Sequence, residues 1–268
     1  MSPQALPFGS CAIPAPRGQW FDVDAVLDDY LRLKDEHLGD QMDVVGPLLD
    51  AWMQQRAQAE RANRMHGHSF NPLSRLKIDE TAHSRILGDL LDPRGTHGQR
   101  GLFLAPFLEV LGMPDCDAGS WRVTVETGRV DILIWRNKPE KCAVIIENKV
   151  NGADDQPNQI YRYWHREMFL WEPGLWTATH AAKISERDRR FHVVYLPTDG
   201  SKAPESHSME RPPGLDEAHG PARVPLECRI LALGKLMTLW EEKSVPRIPP
   251  ENHRLRAFLS QYQELWNS

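Results

Sequence analysis

The stretch that decides the fold runs from Val130 to Trp164: VDILIWRNKPEKCAVIIENKVNGADDQPNQIYRYW. Two apolar runs, Ile132–Trp135 and Cys142–Ile146, flank a polar break centred on Pro139, the pattern of two strands joined by a hairpin loop. A loop over Asn137–Lys141 pairs Arg136 with Cys142, and counting outward brings Glu147 opposite Asp131. Facing residues of antiparallel strands point to the same side of the sheet, with Cβ atoms roughly 4.5–5.5 Å apart. Alternation along the strand then puts Lys149 on the side of Glu147 and turns Asn148 to the other. An aspartate, a glutamate and a lysine therefore meet on one face. Carboxylates that close repel unless a proton or a divalent cation stands between them.

Working outward, the segment DETAHSRILGDLLDP predicts a helix capped by Asp79 and stopped before Pro93. On it Glu80, His83 and Leu87 share a face, which sets a carboxylate beside residues that should pack on the sheet. RGLFLAPFLEVLGM predicts a further helix despite Pro106, and WRVTVE a strand before the hairpin. After the hairpin a helix is expected over about Pro157 to Phe169, with Gln159 and Tyr163 on one face at i, i+4. FHVVYLP is the fourth strand. Nearer the N-terminus, residues 1–19 predict an irregular arm, and the apolar positions of 26–31 and 45–53 predict two helices separated by the breaker pair Gly46-Pro47. Residues 197–225 carry six prolines and three glycines and almost no bulky apolar side chain, which predicts a flexible surface insertion over about 199–224. Two C-terminal helices follow, around Leu231–Glu242 and His253–Trp266. The order predicts one α/β domain over 1–268, its core at about 75–200, with a mixed sheet of about four strands flanked by helices and additional helices at both ends.

Composition narrows the functional classes. The charged fraction is 26% and the net charge −5, so no global field draws the chain to nucleic acid, and only the modestly basic stretches 56–100 and 162–190 would do so locally. No run approaches the roughly 18 apolar residues of a membrane span. The N-terminus lacks the basic and apolar regions of a secretory signal. The four cysteines are widely spaced, which fits reduced thiols and a cytoplasmic location better than disulfides or a zinc site.

Asp131, Glu147-x-Lys149, a preceding helical Glu80, and a following helix with Gln159 and Tyr163 together resemble the PD-(D/E)xK nuclease superfamily. ETAHSRILGDLLDPRGTHGQ, GRVDILI and IIENKVNGADDQPNQIYRY look more narrowly like a prokaryotic branch with an E-x-x-H-S helix. Val130 stands where the family name has proline. The resemblance implies a restriction-endonuclease-like core, phosphodiester hydrolysis and a bound Mg²⁺ or Mn²⁺. It implies that Asp131, Glu147 and the backbone carbonyl of Asn148 ligate the ion, and Glu80 directly or through water. Lys149 would act on the attacking water or the phosphorane, and Gln159 on the DNA backbone or the site itself. His83, Ser84 and Tyr163 would stand behind these residues or against substrate, while His97 reads as a turn residue. DNA is favoured over RNA, and a protein partner or homo-oligomer is compatible with the sequence. A restriction, antiphage or repair setting follows equally. Two other readings stay open: a non-catalytic nucleic-acid-binding or scaffold domain, and an RNase or nuclease subunit that needs a partner.

Overall fold

The computed structural model describes residues 23–35, 39–67, 70–76, 78–113, 117–150, 152, 154–177, 180–198, 200–216 and 220–266. The arm expected over residues 1–19 lies outside them. The chain forms two compact units, residues 1–70 and 71–268. The first consists of helices α1 (Val23–Asp35) and α2 (Gly39–His66). The pair Gly46-Pro47, expected to separate two elements, is instead inside α2. A single proline removes one intrahelical hydrogen bond, and a 28-residue helix has enough others to continue through it.

The second unit orders its elements as α3 (Glu80–Leu91), α4 (Leu104–Val110), β1 (Arg122–Thr127), β2 (Val130–Arg136), β3 (Cys142–Lys149), α5 (Gln159–Glu167), α6 (Pro173–Trp176), α7 (Ala181–Arg190), β4 (Phe191–Pro197), β5 (Cys228–Ile230), α8 (Leu233–Lys243) and α9 (His253–Glu264). The sheet order is β1-β2-β3-β4-β5, antiparallel as far as β3 and parallel from β3 to β5. This five-stranded mixed sheet flanked by helices is consistent with the restriction-endonuclease-like core that the resemblance implies, with one strand more than expected. β5 is only three residues long and exposes Arg229 and Ile230, so no alternating apolar pattern marks it. No helix among the described residues is long and apolar enough to cross a membrane.

Each sheet face has its own core. Ile132, Ile134, Val144, Ile146, Val194 and Leu196 pack with α3, α4, α8 and α9. Leu133, Ala143, Ile145, Val193 and Tyr195 pack with the aromatic residues of α5 and α6. With helices on both sides, β3 and β4 are buried at every position, which explains their nearly unbroken apolar runs. α3 lies so close to β1 that a Cβ on Gly88 would stand 2.2 Å from a Val125 methyl carbon.

The proline-rich stretch before β5 differs from the expected solvated insertion. Met209 and Val224 are buried in the α5-side core, and Ser208 is wholly inaccessible. Asn158, left-handed at φ 57°, holds the stretch by donating from its backbone to His207 O over 2.9 Å and from its side chain to Glu210 O over 2.7 Å. Composition undercounted this segment because two or three well-placed apolar residues suffice to seat it.

Candidate active site

The hairpin register follows the count made from sequence: Arg136 faces Cys142 and Ile132 faces Ile146, so continuation brings Asp131 to Glu147. β3 also pairs Glu147 with Tyr195 on its parallel side. The apolar strand can end in Glu-Asn-Lys because the three side chains serve different faces. Glu147 and Lys149 turn towards the α5 side. Asn148 turns to the other, where its amide donates to the Glu80 carbonyl and to Ser84 Oγ, both over 3.0 Å. That amide fastens the end of β3 to the first turn of α3, whose N-terminus is capped by Asp79 accepting from the Ala82 N–H over 2.8 Å.

Glu80, Asp131, Glu147, Lys149, Gln159 and Tyr163 line one cleft of about 400 Å³. Glu126, Arg129, Asp154 and Gln156 complete its walls. Asp131 Oδ2 accepts from the Asn148 N–H over 2.7 Å. Lys149 Nζ forms an ion pair with Glu147 Oε1 over 2.8 Å and lies 3.8 Å from Asp155 Oδ1. Glu147 Oε1 is held by that ammonium, whereas Glu147 Oε2 accepts no hydrogen bond and Glu80 Oε1 is likewise buried without one. Gln159 is buried; its Oε1 accepts from the Gln156 N–H over 3.2 Å and its Nε2 donates to Tyr163 Oη over 3.1 Å. The two residues read as helix neighbours are thus bonded to each other within the cleft wall.

Burial sets the electrostatics. It raises the Asp131 carboxyl to about 7, with Glu126 and Glu80 adding to the rise against the Asn148 N–H and Lys149. Burial and then the neighbouring Asp131 raise Glu147 to about 8. Burial pulls the Lys149 ammonium down, but Glu147, Glu80 and Asp155 outweigh it and hold its pKa above the ordinary lysine value. The cleft therefore strains to keep its carboxyls charged, as expected where acids are crowded for function.

Two of the expected residues lie behind the cleft. Ser84 reaches it only through Asn148. His83 is buried on the α9 side, its Nδ1 2.9 Å from Tyr262 Oη and its ring 4.7 Å from that of Trp266, and burial lowers its pKa to about 4. His97 is held in its turn, with one ring nitrogen at Asp92 O and the other accepting from the Gln99 N–H.

Sequence reasoning passed over Asp155 and the β1–β2 turn. Glu126 and Arg129 have left-handed backbones, φ 55° and 71°, around Gly128 at φ 61°. The Thr-Gly-Arg between an alternating strand and Asp131 was the available signal for a tight turn beside the site. Asp155 had none, because Asp154-Asp155 reads as one exposed acidic pair until the fold buries the second.

Among the described residues no three His, Cys, Asp or Glu side chains converge as a ready metal cage. The donors nevertheless suit a hard divalent cation, which takes one or two carboxylates and keeps several waters. Glu147 Oε2 and Glu80 Oε1 are buried and unsatisfied, the condition such an ion relieves.

Comparisons with curated proteins and with solved structures returned no match. A family model of the PD-(D/E)XK nuclease superfamily matches residues 70–264, which takes in every strand of the sheet and all four residues of the D…E-x-K and helical glutamate pattern. The chain belongs to the PD-(D/E)XK nuclease superfamily.

Proposed function

We propose that this chain is a cytoplasmic, Mg²⁺- or Mn²⁺-dependent nuclease that hydrolyses phosphodiester bonds, with DNA favoured over RNA. The observation that carries the reading is the meeting of Glu80, Asp131, Glu147 and Lys149 in one cleft with two carboxylate oxygens unsatisfied. Asp131, Glu147 and the Asn148 carbonyl hold the ion, and Glu80 joins them directly or through water. When bound, the ion supplies Lewis-acid polarisation of the phosphate and a more acidic water. Lys149 places its ammonium where charge grows on the phosphorane. Gln159 and Tyr163 keep the α5 wall in place through their mutual hydrogen bond. Arg129, on the cleft wall at the turn, offers its guanidinium to the backbone of the nucleic acid.

Cleavage of supercoiled, linear and single-stranded DNA and of RNA, with Mn²⁺ and with chelator, tests this. Chelator-sensitive DNA cleavage that Asp131→Ala abolishes is expected. Cleavage of RNA alone would replace the substrate, and robust cleavage by Asp131→Ala free of contaminating nuclease would overturn the site.

A further inference from the structure

Asp155 does not line the cleft, yet its side chain is 1% exposed beside Lys149. Both of its oxygens are oriented: Tyr195 Oη donates to Oδ1 over 3.0 Å, and the Glu205 N–H donates to Oδ2 over 2.7 Å. The Lys149 ammonium sits between this carboxylate and Glu147, 3.8 Å from one and 2.8 Å from the other. The first separation is too long for a hydrogen bond and short enough for an ion pair.

This arrangement matters once Glu147 is taken as a cation ligand, the reading on which the following rests. A divalent cation at Glu147 Oε2 draws that carboxylate's charge away from the ammonium at Oε1 and repels the ammonium itself. It then needs another anion close by that the cation cannot claim. Asp155 fits, since it is buried behind Lys149, is fixed on both oxygens, and is outside the cleft wall.

We propose that Asp155 is the positioning residue that holds the Lys149 ammonium in place beside the cleft when Glu147 turns to a divalent cation. Part of this device comes from the stretch before β5, because the Glu205 N–H is what orients Oδ2. A segment without a side chain in the cleft is thereby joined to the reacting groups.

The proposal predicts that Asp155 and Lys149 are coupled in cation binding. In the full chain without substrate, Mn²⁺ affinity is measured by calorimetry for wild type, Asp155→Asn, Lys149→Met and the double variant. Without Asp155 the ammonium has only Glu147 and competes with the cation, so Asp155→Asn should weaken Mn²⁺ binding by about tenfold. In the Lys149→Met background the same change should cost less than about threefold, since no ammonium is left to place. With wild-type lysine, Asp155→Asn should also lower turnover by about 100-fold with the KM for nucleic acid changed by less than about threefold. Equal weakening of Mn²⁺ binding in both backgrounds would show that Asp155 acts by its charge or by general structure, and overturns the role. Absence of Mn²⁺ binding by wild type overturns the cation reading and this inference with it, a separate and recognisable outcome. Should Asp155→Asn not fold, the cycle is run with Tyr195→Phe, which removes the donor that orients Oδ1. The loss should then be about threefold and again vanish without Lys149; persistence of the loss in Lys149→Met overturns the role.

Discussion

The Asn148 N–H donates to Asp131 Oδ2 over 2.7 Å, joining the two strands of the central hairpin at the point where their ladder gives way to the cleft. One oxygen of Asp131 is thereby held, while the carboxyl stays beside Glu147. The bond favours the ionised form of an acid whose burial opposes ionisation.

Asp131→Ala and Glu147→Ala should each lower cleavage by orders of magnitude with a native circular dichroism spectrum. Lys149→Met should behave differently: cation and nucleic acid still bind, and turnover is lost, because its charge acts on the transition state. Parallel loss of substrate binding and turnover in Lys149→Met would make the lysine a substrate anchor instead.

The crowded acids also predict how stability without a cation depends on pH. In the folded chain burial and their mutual repulsion raise the Asp131 and Glu147 pair to about 7 and about 8, whereas in the unfolded chain both titrate at about 4. The folded form binds more protons between those limits, so this contribution is complete below about pH 4 and is lost as pH rises through the folded values. Asp131→Asn removes one of the two groups and should flatten the decline in melting temperature measured in chelator. Mn²⁺ at about 100 times its dissociation constant should stabilise wild type by roughly 2.7 kcal/mol, or about 5–10 °C for a chain this size. The variant should gain little of that. Identical pH profiles for the two proteins, with no shift on adding Mn²⁺, would make the pair structural.

Asn148→Ala should destabilise the fold by about 1–3 kcal/mol, because the Ser84 hydroxyl and Glu80 carbonyl lose a buried partner. Urea unfolding reads the loss directly. Glu80 is fixed through the same tie, so Mn²⁺ affinity should fall as well. Unchanged stability would show that water replaces the amide without cost.

Met209→Ala should cost about 2–5 kcal/mol despite lying in a proline-rich stretch, since the side chain is 4% exposed in the α5-side core. Deleting 201–222 should be worse still, for it removes the Glu205 N–H from Asp155 as well. A deletion variant that melts like wild type would return the segment to the status of a free insertion.

Gly88→Ala should cost about 1–3 kcal/mol by overpacking, because its methyl would meet Val125 at 2.2 Å. Val125→Ala should recover part of that loss in the double variant. A neutral Gly88→Ala would mean that α3 can move off β1 freely.

The hairpin was legible because a proline-centred loop between two apolar runs fixes its register arithmetically, and register fixes which side chains meet. α3 was legible from Asp79 and the stop at Pro93. What stayed hidden depends on contacts remote in sequence. Asp155 becomes distinct from Asp154 only when Tyr195 and Glu205, from β4 and beyond, close over it. β5 pairs because β4 offers it an edge, not because Cys-Arg-Ile favours a strand. Gly46-Pro47 failed as a stop because a local rule was applied to a helix long enough to absorb it.

Glu147 and Asn148 are neighbours in the chain but belong to opposite layers of the sheet. A genetic screen for inactive variants should therefore not draw a halo around the cleft. It should recover positions on the sheet-facing side of α3, among them Ser84 and Gly88, which contact none of the cleft acids directly and loosen the helix that presents Glu80. Substitutions of comparable size at exposed positions of α5, such as Arg162, should pass such a screen more often.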